Sequence, residues 1–318
     1  MQTSYRVAGH ALEKADDGPD AVWIDLIAPD EAARATITEK HGVVLPTPAQ
    51  MAEIESSSRY YARDDTLYMS ARVLRSSEEP PARLEDLAFI LTPDRLFTVH
   101  LTSLKAISLY EGAALAGHRK CQHPTSIFVG LVEAVIDRLA DILENAAFVL
   151  EEVSENVFTR VDDAPIRGQD FNAFLRRIHD VDDIAAKARM NLTSLERVLA
   201  FFSSAAPPES LKPVKARLRT AQRDLSSLGE QAAYLDGKTQ FLMDATLGLI
   251  GVDQNNVMKV LSVVSVMLMP PTLLAGIYGM NFARMPELDE PYAYFIVLAL
   301  MFAFAAGSYA WFRRKGWL

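Results

Sequence analysis

The sequence has almost no cysteine. Cys121 is the single cysteine among 318 residues, so no disulfide can form within the chain, and we expect most of it to lie in a reducing compartment. Positive charge is also scarce. The formal net charge is −9 and the pI is near 5.2, which argues against a nucleic-acid-binding protein, because neutralising phosphates requires clustered lysine and arginine.

The chain also lacks the short motifs of common enzyme classes. It contains no phosphate-binding loop, nucleophile elbow or HExxH motif, and we predict that it is not an enzyme. The N-terminal residues show no charged-then-apolar run, so we expect any membrane insertion to depend on internal segments. His118, Cys121 and His123 are residue types that suit zinc, but without an evident fourth ligand they are not predicted to form a metal site.

Hydrophobic residues make up 50% of the chain and are concentrated near its C-terminal end. Residues 259–318 contain five basic and three acidic residues, and within them segments 260–278 and 292–312 carry no charge. The 21 residues of the second segment would form a helix of about 31 Å, which matches the hydrocarbon thickness of a bilayer. We therefore predict two helices that span a lipid bilayer.

The charges beside these segments predict their orientation. Lys259 precedes the first segment and residues 313–315 are Arg-Arg-Lys, whereas the connecting loop carries one arginine and three acids. Because basic residues stay on the cytoplasmic side, we expect a multi-pass protein of the inner membrane with both termini in the cytoplasm.

The N-terminal part has the pattern of a small α/β domain. Residues 21–26 read as a buried strand, and a helix is expected from Pro29-Asp30 to Lys40, ended by His41-Gly42. A hairpin is predicted over 59–74 around Arg63-Asp64-Asp65, and a second strand pair, 87–91 and 95–101, around Thr92-Pro93-Asp94.

Long helices follow this domain. From Thr125 onwards apolar residues recur every three or four positions, which predicts an amphipathic helix that is interrupted near 162–165. A second helix is expected over 169–202. A third begins near Leu211 and meets no strong breaker before Pro270-Pro271, a length of about 85 Å.

These segments predict an α+β cytoplasmic domain, made of a small sheet domain and long helices, joined by a long stalk helix to two transmembrane helices. The expected boundaries are 1–120 for the α/β domain, 121–210 for the long cytoplasmic helices, 211–258 for the stalk and 259–318 for the membrane domain.

One face of the first spanning segment is not uniformly apolar. At helical spacing it carries these residues: Met258, Leu261, Ser265, Met269, Thr272 and Gly276. Small and hydroxylated side chains permit close packing of helices in membranes, and they also suit the lining of a water-filled pore. Two spans cannot enclose such a pore, so the second interpretation requires an oligomer with cyclic symmetry.

At the end of this segment stands Tyr278-Gly279-Met280-Asn281, soon followed by Met285-Pro286-Glu287-Leu288. At this place between two C-terminal spans, these motifs resemble the CorA family of magnesium transporters. Met269-Pro270-Pro271-Thr272-Leu273 and the basic tail that ends in Trp317-Leu318 are also similar to that family. The resemblance covers essentially the whole chain.

The resemblance implies a homopentameric funnel that conducts hydrated divalent cations. Gly279, Met280 and Asn281 would form the entrance filter, where glycine permits an unusual backbone turn and a ring of amides can hydrogen-bond the water around magnesium, an ion that dehydrates reluctantly. Further positions match the family as follows: Glu287, Asp289 and Glu290 as an outer acidic ring, Met258, Leu261 and Met269 as apolar constrictions, Thr272 as a pore hydroxyl, Asn255 as an inner amide and Asp244 as a stalk carboxylate.

The resemblance also implies control by cytoplasmic magnesium bound between subunits. Asp224 would face Glu85 and Asp86 of a neighbouring copy, although a further family acid falls on Thr220 here. Magnesium is then both cargo and regulator, with cobalt and nickel as secondary ions. Two alternatives remain: a zinc transporter of the same fold, and a membrane-anchored helical scaffold or sensor whose spans only tether it.

Overall fold

The computed structural model describes residues 1–9, 11–53, 55–75, 82–119, 121–163, 168–281 and 291–317. The chain divides into two compact units, Met1–Met243 and Asp244–Leu318, which are described separately below.

A seven-stranded sheet forms the N-terminal part of the first unit. Its strand order is β2-β1-β3-β7-β6-β5-β4, in which β3 and β7 run parallel and all other neighbours run antiparallel. The strands are β1 Gln2–Ala8, β2 Ala11–Ala15, β3 Ala21–Ile27, β4 Tyr60–Arg63, β5 Thr66–Arg75, β6 Arg83–Leu91 and β7 Leu96–His100. The buried strand predicted at 21–26 is β3, and both predicted strand pairs are confirmed.

The helices follow in chain order. They are α1 Glu31–His41, α2 Pro48–Ala52, α3 Ser56–Arg59, α4 Lys105–Leu115, α5 Pro124–Asp163, α6 Gly168–Ala205, α7 Pro208–Leu211, α8 Lys215–Tyr278 and α9 Ala293–Arg314, with a short 3-10 turn at Lys212–Val214 before α8. The interruption expected near 162–165 overlaps residues 164–167, between α5 and α6, which lie outside the described part of the chain.

Local chemistry explains why α1 and the first hairpin form where the sequence predicts them. The Asp30 carboxylate accepts a hydrogen bond from the Ala33 amide and caps α1, and Gly42 closes the helix at φ 69°. In the hairpin, Asp64 and Asp65 have φ values of 47° and 59°. Positive φ at both central residues defines the turn whose twist matches a two-residue hairpin.

Helices α5 and α6 cover the sheet through aromatic contacts. The Phe128 ring on α5 lies 5.2 Å from Phe89 on β6 and 4.8 Å from Phe202 on α6. Helix α4 packs closely on α5, because a Cβ added to Gly130 would lie 2.4 Å from the Tyr110 ring. This glycine therefore permits the α4–α5 contact.

Helix α8 differs from the sequence expectation at its C-terminal end. Pro270 and Pro271 lie inside the helix, which continues to Tyr278, so the expected break at these prolines is wrong. Proline is tolerated in membrane helices when the freed carbonyl groups find other partners. The predicted span 260–278 is thus helical along its whole length.

The second unit contains two helices that are long and apolar enough to span a membrane, one at the end of α8 and the other α9. Only 6% of the most apolar 18-residue window of each helix is buried. The core helix of a soluble protein would be mostly buried. These surfaces therefore need lipid, or other copies of the chain, as their surroundings.

A buried ion pair joins the two parallel strands of the sheet. His100 on β7 places its Nε2 3.0 Å from Oδ1 of Asp25 on β3, and its Nδ1 lies 2.6 Å from the Thr102 carbonyl oxygen. Since a carbonyl only accepts, Nδ1 carries a proton, and Nε2 donates to the carboxylate. Burial alone would lower the pKa of His100, but the hydrogen bond and charge of Asp25 and the Thr102 carbonyl leave it raised.

We expect this pair to make stability depend on pH. The pKa of His100 is raised above its unfolded value of about 6.5, so the stabilisation is complete below about pH 6.5 and is lost as the pH rises through the folded value. Asp25→Asn should cost about 3–5 kcal/mol of unfolding free energy at pH 6 and less at higher pH. Unfolding of the full-length protein in detergent at several pH values would measure this.

His41 contributes a pH dependence of opposite sign, because its pKa is lowered, chiefly by burial and also by Arg95 and Lys40. The difference in unfolding free energy between the wild type and Asp25→Asn removes this contribution, since His41 is present in both proteins. His179→Gln on the exposed side of α6 is the matched control and should leave the pH dependence unchanged. A loss in Asp25→Asn that stays constant from pH 6 to pH 9 would contradict the assignment.

Candidate functional site

The polar face of α8 lies opposite the face that its own unit covers. At 100° per residue, the less exposed positions of the span share one side: Val263, Met267, Pro270, Pro271, Leu274 and Tyr278. The predicted pore-lining residues Asn255, Met258, Leu261, Ser265, Met269, Thr272 and Gly276 are all exposed and share another side. The two sets are about 180° apart. The structure thus brings the predicted residues together on one open face.

The hydroxyl groups on this face are already satisfied within the helix. The Ser265 hydroxyl donates to the Leu261 carbonyl at 2.8 Å, and the Thr272 hydroxyl donates to the Leu268 carbonyl at 2.7 Å. Each oxygen keeps lone pairs that can accept further hydrogen bonds. The face can therefore offer acceptors to water without exposing an unsatisfied donor to the membrane interior.

Pro270 and Pro271 add two backbone acceptors within the span. Proline has no N–H, so the carbonyls four residues earlier, those of Val266 and Met267, receive no helical hydrogen bond from them. Such carbonyls are strong acceptors that need a partner inside a membrane. Sequence reasoning treated this Pro-Pro pair as a helix breaker and as part of the family resemblance, and it missed this consequence.

Helix α8 ends at Tyr278, and Gly279 follows it directly. Gly279 does not have a positive φ, so it is not needed for a left-handed turn. Its amide donates to the Ala275 carbonyl at 2.9 Å, and a Cβ at this position would lie 2.9 Å from that same oxygen. Glycine is required because the backbone leaves the helix too close to its last turn for any side chain.

The residues around this exit are only partly described. Met280 and Asn281 follow Gly279 and are exposed. The predicted outer acids Glu287, Asp289 and Glu290 lie outside the described residues.

Four carboxylates were predicted to hold regulatory metal. Asp224 and Asp244 are both exposed on α8. Within the described residues, no group of three His, Cys, Asp or Glu side chains lies close enough to hold a metal ion in a single chain. A site at these acids would therefore need ligands from another copy, and their role as metal ligands stays a prediction.

Glu85 and Asp86 have arginine partners within the chain. Glu85 Oε1 lies 3.8 Å from Arg75 Nε, and Asp86 Oδ1 lies 3.7 Å from Arg72 Nε and 4.0 Å from an Arg59 nitrogen. Burial outweighs these two guanidinium groups and leaves the pKa of Asp86 raised. The two arginines weaken binding of a dication to Asp86, because their positive charges repel it.

The loop around Cys121 shows a packing role for this residue. Its buried sulfur lies 3.4 Å from the Tyr110 hydroxyl, and burial raises the pKa of the thiol. His123 Nδ1 lies 3.3 Å from the Thr125 hydroxyl. A thiol held protonated in a core does not act as a metal ligand.

The chain is similar to one family along nearly its whole length. Residues 19–314 match the sequence model of the family described as CorA-like Mg2+ transporter protein. The magnesium transport protein CorA of Haemophilus influenzae Rd is 34% identical over 308 residues, covering 96% of this chain and 95% of the relative. CorA of Escherichia coli K12 is 33% identical over 309 residues, covering 96% and 95%.

A solved structure has the same fold. The complete structure of the CorA magnesium transporter from Methanocaldococcus jannaschii matches with a TM-score of 0.78 at 20% identity, covering 100% of this chain and 99% of that one. The match extends the similarity from sequence to the arrangement of a sheet domain, long helices and two C-terminal apolar helices.

The contact at Gly279 gives a local prediction. Gly279→Ala should displace the end of α8, because its Cβ would meet the Ala275 carbonyl at 2.9 Å. We expect faster amide hydrogen exchange at residues 278–281 in this variant. Gly276→Ala is the matched control, since a Cβ there has no neighbour within 4 Å, and it should exchange like the wild type. Equal exchange in all three proteins would show that the contact does not require glycine.

Proposed function

The chain belongs to the family of CorA-like Mg2+ transporter proteins, and we propose from this premise that it carries magnesium across a membrane. The observation that supports this most directly is the open polar face of α8, which leads to Gly279-Met280-Asn281 at the helix exit. A tether that only anchored a scaffold or sensor would need neither feature.

The pathway requires several copies of the chain. One chain supplies two candidate spans, which cannot surround a water-filled path. We propose a homopentamer in which each copy turns the polar face of α8 towards the axis, while the side that carries Val263 packs within its own unit. Cyclic symmetry then repeats every residue of that face as a ring.

The entrance would select the hydrated form of the ion. Magnesium holds its waters tightly, so a filter that accepts the hydrated ion avoids the cost of stripping them. We propose that Asn281 amides hydrogen-bond these waters, with backbone carbonyls of Gly279 and Met280 beside them. Glu287, Asp289 and Glu290 would concentrate cations at the mouth through their charge.

Deeper in the pore, apolar and polar rings would alternate. Met258, Leu261 and Met269 are each at least 56% exposed in the single chain and would form constrictions that gate by dewetting. Ser265 lies between Leu261 and Met269, Thr272 lies beyond Met269 towards the filter, and both hydroxyl groups offer acceptors to hydrated ions. Asn255 and Asp244 would continue the cation path into the stalk.

The driving force needs no chemical step. An inside-negative potential supplies about 2.3 kcal/mol per charge per 100 mV, or about 4.6 kcal/mol for a dication. We propose passive influx through the inner membrane with both termini cytoplasmic, as the basic residues 313–315 favour. Residues 1–120, 121–210 and 211–258 would be the cytoplasmic sheet domain, long helices and stalk.

Cobalt and nickel would be transported as secondary ions. Cytoplasmic magnesium bound between subunits at Asp224 would close the pore.

Flux through liposomes tests this proposal. We expect wild-type protein to admit magnesium, and Asn281→Ala to lower the initial rate by at least about tenfold, because one good hydrogen bond to the hydrated ion is worth about that much at the barrier and the variant removes the amide from every copy. A magnesium-sensitive dye inside the vesicles reports entry, and cobalt, nickel and zinc are compared in parallel.

Asn172→Ala on the exposed side of α6 removes the same kind of side chain from the first unit and should conduct like the wild type. A correctly assembled wild-type protein that admits no divalent ion would overturn the proposal, and zinc entry without magnesium entry would reassign the cargo.

Cysteine labelling tests which face of α8 meets water. The native Cys121 is buried, so introduced cysteines report alone. We expect a charged, membrane-impermeant thiosulfonate to modify Ser265→Cys and Thr272→Cys. Met267→Cys and Leu274→Cys, which lie on the opposite side of the helix, should remain unmodified. The opposite labelling pattern would show that the polar face meets protein or lipid, and it would contradict the proposed pore.

A further inference from the structure

An arginine-lined cavity lies between the sheet and α6 in the first unit. Its volume is about 310 Å³. Four arginines line it, Arg59 at the end of α3, Arg72 on β5, and Arg189 and Arg197 on α6. We name these four residues the arginine pocket. No acidic side chain lines this cavity among the residues that the structure describes, although the chain as a whole carries a net charge of −9.

The sheet side of the arginine pocket is rigidly held. Arg59 is 8% exposed and donates from one terminal nitrogen to the Ser70 carbonyl at 2.9 Å. Arg72 donates to the Ala52 carbonyl at 3.2 Å, and its backbone amide donates to the Ser194 hydroxyl at 2.9 Å. Such contacts fix guanidinium groups before any ligand arrives, which lowers the entropy lost on binding.

One buried donor in the arginine pocket has no partner. Nε of Arg59 is enclosed and makes no hydrogen bond within the described part of the protein. A buried donor left unpaired is destabilising by roughly 1–3 kcal/mol. The Arg59 guanidinium is therefore not fully satisfied by the described protein around it.

The charges around the arginine pocket are not balanced by the described residues. Arg59 and Arg72 share the single carboxylate of Asp86, and Arg189 pairs with Asp236 at 2.6 Å. Arg197 makes no ion pair with any residue that the structure describes. Four guanidinium groups therefore face two carboxylates, both of which lie outside the cavity lining.

We propose that the arginine pocket binds a small anion with at least two phosphate groups, the chemistry shared by pyrophosphate and nucleotide polyphosphates. Guanidinium groups bind phosphate oxygens through paired, charge-assisted hydrogen bonds. Arg189 and Arg197 are eight residues apart on α6, about 12 Å along its axis, so linked phosphate groups match the spacing of these two arginines better than a single phosphate group does. A ligand with linked phosphates can contact the arginines of α6 and also Arg59 and Arg72 on the sheet side of the cavity.

The size of the cavity agrees with this class of ligand. A volume of 310 Å³ is the space of about ten liquid water molecules. Chloride or a single carboxylate would leave most of it filled with water and most of the guanidinium groups unpaired. None of its lining residues is among the proposed pore residues of α8, and its positive charge suits an anion, so its ligand is an additional partner of the protein and not the transported cation.

Calorimetric titration of the full-length protein in detergent with sodium pyrophosphate, without divalent cations, tests the proposal. We expect saturable binding that Arg197→Gln weakens by about tenfold or more, since one charge-assisted contact is lost. Arg197 makes no ion pair within the described residues, so its replacement should leave the fold intact, which a thermal unfolding scan checks. ATP and inorganic phosphate are titrated in parallel, and phosphate should bind more weakly than either.

Arg176→Gln is the matched control, because Arg176 is exposed on the same helix but does not line the cavity. It should bind pyrophosphate like the wild type. Absence of binding to the wild type, or equal affinity in Arg197→Gln and the wild type, would overturn the proposal. If Arg197→Gln instead shifts the oligomeric state and pyrophosphate does not bind, the arginines pair with a neighbouring copy and the proposal is also wrong.

Discussion

The constraint on which the second unit depends is that every polar group of a helix in lipid must find a hydrogen-bond partner. Helix α8 meets it with two opposite faces, one covered within its own unit and one open, with Ser265 and Thr272 on the open side. Their hydroxyls are bonded back to the helix and still accept hydrogen bonds. A single chain leaves this face unpartnered, so the proposed function and the proposed assembly follow from the same geometry.

Residue chemistry made much of the fold predictable. Asp30 and Gly42 mark the ends of α1, the Asp64-Asp65 turn marks the hairpin, and the apolar period from Thr125 marks α5, because each acts through its nearest neighbours in the chain. Pro270 and Pro271 were misjudged by the same local logic. Proline breaks helices in water, where the freed carbonyls are simply solvated, but α8 continues through both residues.

In the candidate site, too, the features that depend on local sequence were predictable and those that depend on the folded backbone were not. The polar stripe of α8 needs only a helical period and was predictable, whereas the reason for Gly279 was not, since the 2.9 Å approach to the Ala275 carbonyl is a property of the folded backbone. For Glu85 and Asp86, the sequence alone does not predict whether the acids can bind a cation. In the sequence they are two acids available for a cation, but the register of β5 against β6 places Arg72 opposite Asp86 and Arg75 close to Glu85. Long-range pairing decides what an acidic residue can bind.

That pairing also connects the sheet to the arginine pocket. Asp86 is shared between Arg59 and Arg72, so its single charge cannot neutralise both, and burial pushes its own pKa upward. Each proton that Asp86 gains increases the positive charge beside the cavity, and each anion that enters the cavity offsets it. The carboxylate and a bound polyphosphate would therefore compete to neutralise the same guanidinium groups. Two arginines beside one carboxylate leave a net positive charge on this surface, which suits an anion and not a divalent cation.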